Sequence, residues 1–125
     1  MDATRKRELI RAYKETRRPM GVFQVRNTTD GRALVAASAD LPAALNHHRA
    51  ALRFGAHHNR ELQRDWNAFG PDAFAFEVLD TLTAPENEPA YDPADDLTVL
   101  EALWLERLQP YGERGYVRPP RQARG

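Results

Sequence analysis

The sequence of 125 residues contains no cysteine, and this absence excludes disulfide bonds, thiolate metal sites and cysteine nucleophiles. It also lacks any apolar run approaching the ~20 residues that a membrane-spanning helix requires. The N-terminal stretch MDATRKRELIRAY is charged and has no apolar signal core. We therefore expect a cytoplasmic protein that does not enter a membrane, and the length is typical of one compact domain.

The sequence also has no net charge, but its charges are segregated along the chain. Residues 1–66 contain 13 Lys and Arg against 7 Asp and Glu, residues 67–113 contain 1 against 11, and residues 114–125 contain 4 and none. A basic N-terminal half is typical of a protein that binds a polyanion such as DNA, although charged helix faces can also serve only for solubility. The acidic segment 67–113 could instead dock a basic partner, including a second copy of the chain.

The first half of the sequence predicts one hairpin between helices. Alternating apolar residues flank the turn signal Asp30-Gly31, which is typical of a β-hairpin. Asp40 has the side chain of an N-cap and precedes a helical pattern that ends near Gly55. The predicted elements are a helix over residues 3–17, strands over 20–27 and 32–37, and helices over 41–54 and 59–69.

The second half adds one strand and one helix. The pattern predicts a strand over residues 74–79, a loop rich in Pro, Glu and Asp over 83–93, and a helix over 94–108. In the helix over 59–69, the apolar stripe of Leu62, Trp66 and Phe69 is expected to be buried. The order α-β-β-α-α-β-α predicts an α+β fold, a small three-stranded antiparallel sheet flanked by helices, with the third strand joining one edge of the hairpin.

A series of short motifs runs through this pattern. GVF at residues 21–23 is followed by QVRNTTDGRA, by LVA at 34–36, by HHN at 57–59 and by FAFEVL at 74–79, and the last helix contains LEALWLERLQPY. In this order the motifs resemble those of the GIY-YIG nuclease family, with GVF in place of Gly-Ile-Tyr and LVA in place of Tyr-Ile-Gly. The resemblance covers about residues 20–116. Together with the composition of the two ends, it predicts a basic helix over 1–18, a GIY-YIG-like domain over 19–117 and a basic, disordered tail over 118–125.

The resemblance implies a metal-dependent hydrolysis of phosphodiester bonds. In the family a tyrosine lies near the attacking water, an arginine contacts the scissile phosphate, and a glutamate holds one divalent cation. Phe23 and Leu34 stand at the two motif tyrosines and Ala44 at the arginine, and none of the three can transfer a proton or neutralise charge. Glu101 matches the metal-binding glutamate, so an active enzyme would use Mg²⁺ or Mn²⁺. We expect Leu34 and Glu101 to line a common cleft on one face of the sheet.

Four histidines lie within twelve residues beside the expected site, at positions 47, 48, 57 and 58. His48 could replace the missing tyrosine as a base. The alternative is a packed, hydrogen-bonded residue, because His48 falls on the apolar stripe of its helix. Zinc binding by His57 and His58 is a weaker hypothesis, since four converging ligands are not evident.

These features together favour a GIY-YIG-type domain that binds nucleic acid and whose endonuclease activity is weak or lost. The alternatives are an active, divergent metal-dependent endonuclease and a protein–protein interaction module. The resemblance and the basic first half favour DNA as the partner, with RNA as a second candidate. The residues expected to contact it are Arg26, Arg32, Arg49, Arg53 and Asn59.

Overall fold

The computed structural model describes residues 18–119, so the predicted helix over 3–17 and most of the predicted tail over 118–125 lie outside the described residues. The described chain is an α+β fold, as the sequence predicts. None of its helices combines the length and apolar character needed to cross a membrane. Its elements are β1 (Met20–Asn27), β2 (Ala33–Ser38), α1 (Leu41–Arg53), α2 (Arg60–Phe69), β3 (Phe74–Leu82) and α3 (Ala94–Leu108).

The hairpin turn is closed by the side chains that the sequence places there. The side-chain oxygen of Asn27 accepts from the backbone N–H of Thr29 at 2.9 Å, and that of Asp30 accepts from the N–H of Arg32 at 2.9 Å. The N–H of Gly31, at φ 83°, donates to the carbonyl of Asn27 at 2.8 Å. Asn, Asp and Gly are common in turns for these reasons, and the predicted hairpin is confirmed.

The sheet has the strand order β2-β1-β3, so β1 lies in the centre and β3 pairs antiparallel with it. Pairing runs from Met20 opposite Leu82 to Asn27 opposite Phe74, with an irregularity between Val22 and Phe23. The third strand is therefore longer than the predicted 74–79, because the full length of β1 offers it backbone partners.

The sheet separates two apolar clusters. On one face, α1 and α2 cover a core that includes Val25, Leu52, Leu62 and Trp66. On the other face, α3 covers a cluster built around Val22, Val35 and Trp104, among others. The indole N–H of Trp104 also donates to the Asp80 carboxylate of β3 at 3.0 Å, which fixes α3 against the sheet.

The expectation that Phe69 is buried with Leu62 and Trp66 is wrong, since 52% of Phe69 is exposed. Phe69 is the last residue of α2, and the chain turns away at Gly70, where φ is 85°. Phe74 fills the place beside Trp66 instead, with its ring centroid at 5.3 Å from that of Trp66.

The helix starts follow the sequence signals. Asp40 caps α1 by accepting from the N–H of Ala43 at 3.1 Å, and Asn59 caps α2 by accepting from the N–H of Leu62 at 3.0 Å. Each cap pairs a helical N–H group that would otherwise lack an intrahelical partner. Both caps therefore fix where α1 and α2 begin relative to the sheet.

Gly21 of the GVF motif is required by the close pairing of β1 and β3. Its φ is 156°, and a Cβ atom at this position would lie 2.0 Å from the carbonyl oxygen of Asp80. We expect Gly21→Ala to lower the free energy of unfolding by about 3 kcal/mol or more, because the obstacle is backbone. Urea denaturation measures the loss.

Gly31→Ala is the matched control, since Gly31 also has a positive φ but no atom within 4 Å of the added Cβ. Its loss should be about 1 kcal/mol, the penalty for a left-handed conformation alone. Equal losses in the two variants would contradict the steric explanation for Gly21.

Candidate active site and nucleic-acid interface

The three positions that replace the reactive residues of the resembled family carry hydrocarbon side chains. Phe23 is 1% exposed and Leu34 is 8% exposed, and Ala44 of α1 is half-buried. Leu34 packs with Val25 and Leu52 in the core beneath α1 and α2. The ring of Phe23 lies 5.3 Å from that of His48, centroid to centroid. Two of these positions therefore belong to the core, and none offers a polar group to a substrate.

His48 of α1 and His57 of the connector between α1 and α2 form a direct pair. His48 Nδ1 and His57 Nε2 are 2.7 Å apart, and His57 Nδ1 accepts from the backbone N–H of Asn59 at 3.0 Å. Because Nδ1 of His57 is an acceptor, neutral His57 has its proton on Nε2. This Nε2–H group donates a hydrogen bond to Nδ1 of His48. Neutral His48 then has its proton on Nε2, and its one basic nitrogen is already occupied.

The surroundings keep both rings neutral. Burial, and then the neighbouring histidines, lower the pKa of His57 to about 4. Burial, followed by His58 and His47, also lowers the pKa of His48. To act as a general base, His48 would first have to lose its hydrogen bond from His57. The observed contacts of His48 are thus those of a packed, hydrogen-bonded residue. Its role as a catalytic base stays a prediction.

The other two histidines extend this pair. The ring of His58 stacks on that of His57 at 4.5 Å, and the ring of His47 meets that of His48 edge-on at 5.8 Å. Within residues 18–119, no group of three or more His, Asp or Glu side chains is arranged to hold a metal ion. The described histidines therefore give no support to the zinc hypothesis.

Glu101 contacts the edge of the sheet from α3. One of its carboxylate oxygens accepts from the backbone N–H of Ala37, near the end of β2, at 3.2 Å. The expectation that Glu101 and Leu34 line one cleft is wrong: Leu34 packs under α1 and α2, whereas α3 covers the opposite face. The reason is the strand period of two, which sends Leu34 and Val35 to different faces.

Three of the residues expected to contact nucleic acid are engaged within the domain. Arg26 forms an ion pair with Glu77 at 2.8 Å. Arg32 pairs with Asp65 at 3.1 Å and also with Glu61, and its guanidinium lies 4.4 Å from the centre of the Tyr116 ring. Asn59 donates to the carbonyl of Tyr116 at 2.7 Å in addition to capping α2. Their assignment to nucleic acid stays a prediction, and their observed partners are structural.

The other two predicted residues lie on an outward face of α1. Arg49 and Arg53 line a depression of about 400 Å³ together with Asn46, Ala50 and Phe54. The guanidinium of Arg49 is held 4.5 Å above the ring of Phe76. Neither arginine forms an ion pair with any residue of the described chain, so their charges are uncompensated on this face.

Sequence reasoning missed a second pair of arginines, on α2. Arg60 and Arg64 line a depression of about 570 Å³ beside His58 and Asn67, and no carboxylate lines it. The side-chain oxygen of Asn67 accepts from the Gln63 amide at 3.0 Å, so Asn67 offers its N–H donors outward. The spacing of Arg60 and Arg64, four residues apart on a predicted helix, is the signal that would have placed them on one face.

The sequence matches no family model and no curated protein. Two solved structures are similar: the catalytic domain of the homing endonuclease I-TevI, and a point mutant of that domain described as an intron endonuclease. Both have a TM-score of 0.59, with 24% and 22% sequence identity. The alignments cover 72% and 73% of this chain and 88% and 84% of the other chains. The chain has a GIY-YIG-like fold.

We expect this GIY-YIG-like domain to lose stability on acidification through His57. Its folded-state pKa of about 4 lies below the ordinary value of 6.5, so the unfolded chain takes up the proton first. The contribution is present above pH 6.5 and is lost as the pH falls towards 4. Between pH 7 and pH 5 the loss should be about 2 kcal/mol, measured by urea denaturation at both values.

His57→Gln should reduce this pH dependence by about the same amount, because the titrating ring is gone. His47→Gln, at an exposed position in the same group of histidines, is the control and should retain the dependence. An unchanged pH dependence in His57→Gln would show that other groups cause it.

Proposed function

We propose that this chain is a nucleic-acid-binding domain with the fold of a nuclease, in which endonuclease activity is weak or lost. The observation that carries the proposal is the set of four arginines on the outward faces of α1 and α2, none with an acidic partner in the described chain: Arg49, Arg53, Arg60 and Arg64. Arginine binds phosphate through several donors at once, and contacts of this kind fix a protein on a nucleic-acid backbone without reading its sequence.

The acids of α2 do not cancel this surface. Glu61 and Asp65 are both paired with Arg32, on the side of α2 that faces the hairpin. Arg60 and Arg64 point instead into the depression beside the connector. The helix therefore carries its two acids on the inner side, where they share Arg32, and its two arginines on the outer side, although its sequence alternates the two signs.

We infer that reactivity is weak or lost because the side chains at the family positions cannot supply it. A positioned group that transfers a proton contributes roughly 10²- to 10⁴-fold to a rate, and a donor that stabilises developing charge contributes roughly 10²- to 10³-fold. Phe23, Leu34 and Ala44 supply neither, and the basic nitrogen of His48 is occupied by His57. Even with overlap between these terms, we infer a reduction of about 10⁴-fold or more.

Residues 18–119 do not form a resident cation site. Glu101 already accepts from Ala37, and the described residues contain no cluster of three ligands. A Mg²⁺ ion at Glu101 would need water and phosphate oxygens for most of its coordination shell. A divalent cation therefore belongs to the alternative function of an active endonuclease.

Binding is tested by titrating DNA at several salt concentrations. We expect binding at about 50 mM salt that weakens as salt rises, because phosphate contacts release counterions. Replacing Arg60 and Arg64 together by Gln should weaken binding and lower the slope of log K against log salt by about 2. Fluorescence anisotropy with a labelled duplex measures both quantities.

Arg107→Gln is the matched control for these variants. Arg107 lies on α3, on the other side of the sheet, with its guanidinium 5.2 Å from the centre of the Trp104 ring. The control should leave the salt slope unchanged. Failure of the wild-type chain to bind DNA or RNA at low salt would overturn the proposed function and favour the interaction module.

The alternative of an active endonuclease is tested with supercoiled plasmid in the presence of Mg²⁺ or Mn²⁺. We expect nicking at a rate at least about 10⁴-fold below that of the I-TevI catalytic domain assayed in parallel. Gel electrophoresis measures the fraction of nicked plasmid over time.

The variant Glu101→Ala shows whether any nicking is catalysed by this protein and not by a contaminating nuclease. Glu106→Ala, an exposed acid on the same helix, is its control. Rapid nicking that is lost in Glu101→Ala and kept in Glu106→Ala would replace our proposal by the active enzyme.

A further inference from the structure

Phe54 is the most exposed of the large apolar residues in the described chain, at 85%. Its backbone is nevertheless fixed, because it forms the C-cap of α1 and its N–H donates to the carbonyl of Ala50 at 3.0 Å. Gly55 follows with φ 73°, and the chain turns back there. The ring is thus presented to solvent from a rigid helix end.

A single exposed phenylalanine is ordinary on a protein surface, so the residues around Phe54 determine whether its ring belongs to a binding site. Phe54 shares the depression of about 400 Å³ with Asn46, Arg49 and Arg53. These provide a flat apolar face, an amide that can both donate and accept, and two guanidinium groups. Phe69, the other exposed phenylalanine, lines neither this depression nor the one on α2.

We propose that Phe54 stacks on an unpaired base of a bound nucleic-acid strand. In this site Arg49 and Arg53 bind the flanking phosphates, and the Asn46 amide meets the edge of the base. The inference rests on the proposed function and adds that the preferred ligand is single-stranded. The volume of the depression is that of a site for a small ligand or a single nucleotide.

The expected preference for single-stranded over duplex nucleic acid follows from the geometry of base stacking. In a duplex both faces of each base are covered by neighbouring bases, whereas an unpaired base leaves a face for an aromatic ring. Every base has such a face, so the preference for a single strand carries little preference for sequence. Phe54 lines this depression, and the next residue, Gly55, lines the one that contains Arg60 and Arg64, so the two depressions meet in sequence where the connector begins.

The test compares an oligonucleotide of about 12 nucleotides with the duplex of the same sequence, by fluorescence anisotropy at one low salt concentration. Wild-type protein should bind the single strand more tightly. Phe54→Leu, which keeps an apolar side chain but removes the ring, should weaken single-strand binding by about 5- to 100-fold and leave duplex binding within about twofold. Thermal denaturation verifies that the variant is folded.

Phe69→Leu is the control and should bind both ligands as the wild type does. Unchanged single-strand binding in Phe54→Leu, or equal losses for both ligands, would overturn the stacking site while DNA binding itself stood. The variant in which Gln replaces Arg60 and Arg64 tests the proposed function separately, and it should bind both the single strand and the duplex more weakly. Absence of any binding by the wild type would overturn both.

Discussion

The hydroxyl group of Tyr116 joins three parts of the chain that are distant in sequence. It donates to the Asp65 carboxylate of α2 at 2.6 Å and accepts from the side-chain amide of Asn27 at 3.1 Å. Burial, and then the hydrogen bond to Asp65, raise the pKa of Tyr116, so the hydroxyl stays protonated as a donor. The backbone of Tyr116 adds two bonds, its N–H to the carbonyl of Ala33 at 2.9 Å and its carbonyl to the amide of Asn59 at 2.7 Å. Because Asn27 is fully buried, losing one partner would leave a polar group unsatisfied at a cost of about 1–3 kcal/mol.

This network also sets the rotation of α2 about its axis. Asp65 can reach both Tyr116 and Arg32 only when its side of the helix faces the hairpin, and Glu61 lies on the same side one turn earlier. Arg60 and Arg64 are then turned towards the depression beside the connector. The positive surface on which we base nucleic-acid binding is therefore a consequence of the polar contacts that hold the domain together. A surface of this kind persists with the fold, because the contacts with Arg32 and Tyr116 hold the two acids of α2 on the opposite side of the helix.

Much of the fold could be predicted because its signals are local. The turn at Asp30-Gly31, the cap at Asp40 and the helix over 94–108 each depend on residues within one or two turns of each other. The site could not be predicted in the same way. Arg26 meets Glu77 at a separation of 51 residues, and single-residue patterns contain no information on such a pairing. The hydrogen bond between His48 and His57, which occupies the basic nitrogen of His48, likewise appears only when α1 and the connector are brought together.

The positions that match the reactive residues of the GIY-YIG family and the proposed binding surface belong to different parts of the domain. Phe23 and Leu34 are core residues, and a hydroxyl added at either would be buried and would need a hydrogen-bond partner. Hydrocarbon at these positions therefore avoids burying an unpaired hydroxyl. The arginines and Phe54 lie outside this core, on the outward sides of α1 and α2 and on their connector. A core side chain can therefore differ between Tyr, Phe and Leu without altering this outer surface, so the proposed loss of hydrolysis and the proposed nucleic-acid binding depend on separate parts of the fold.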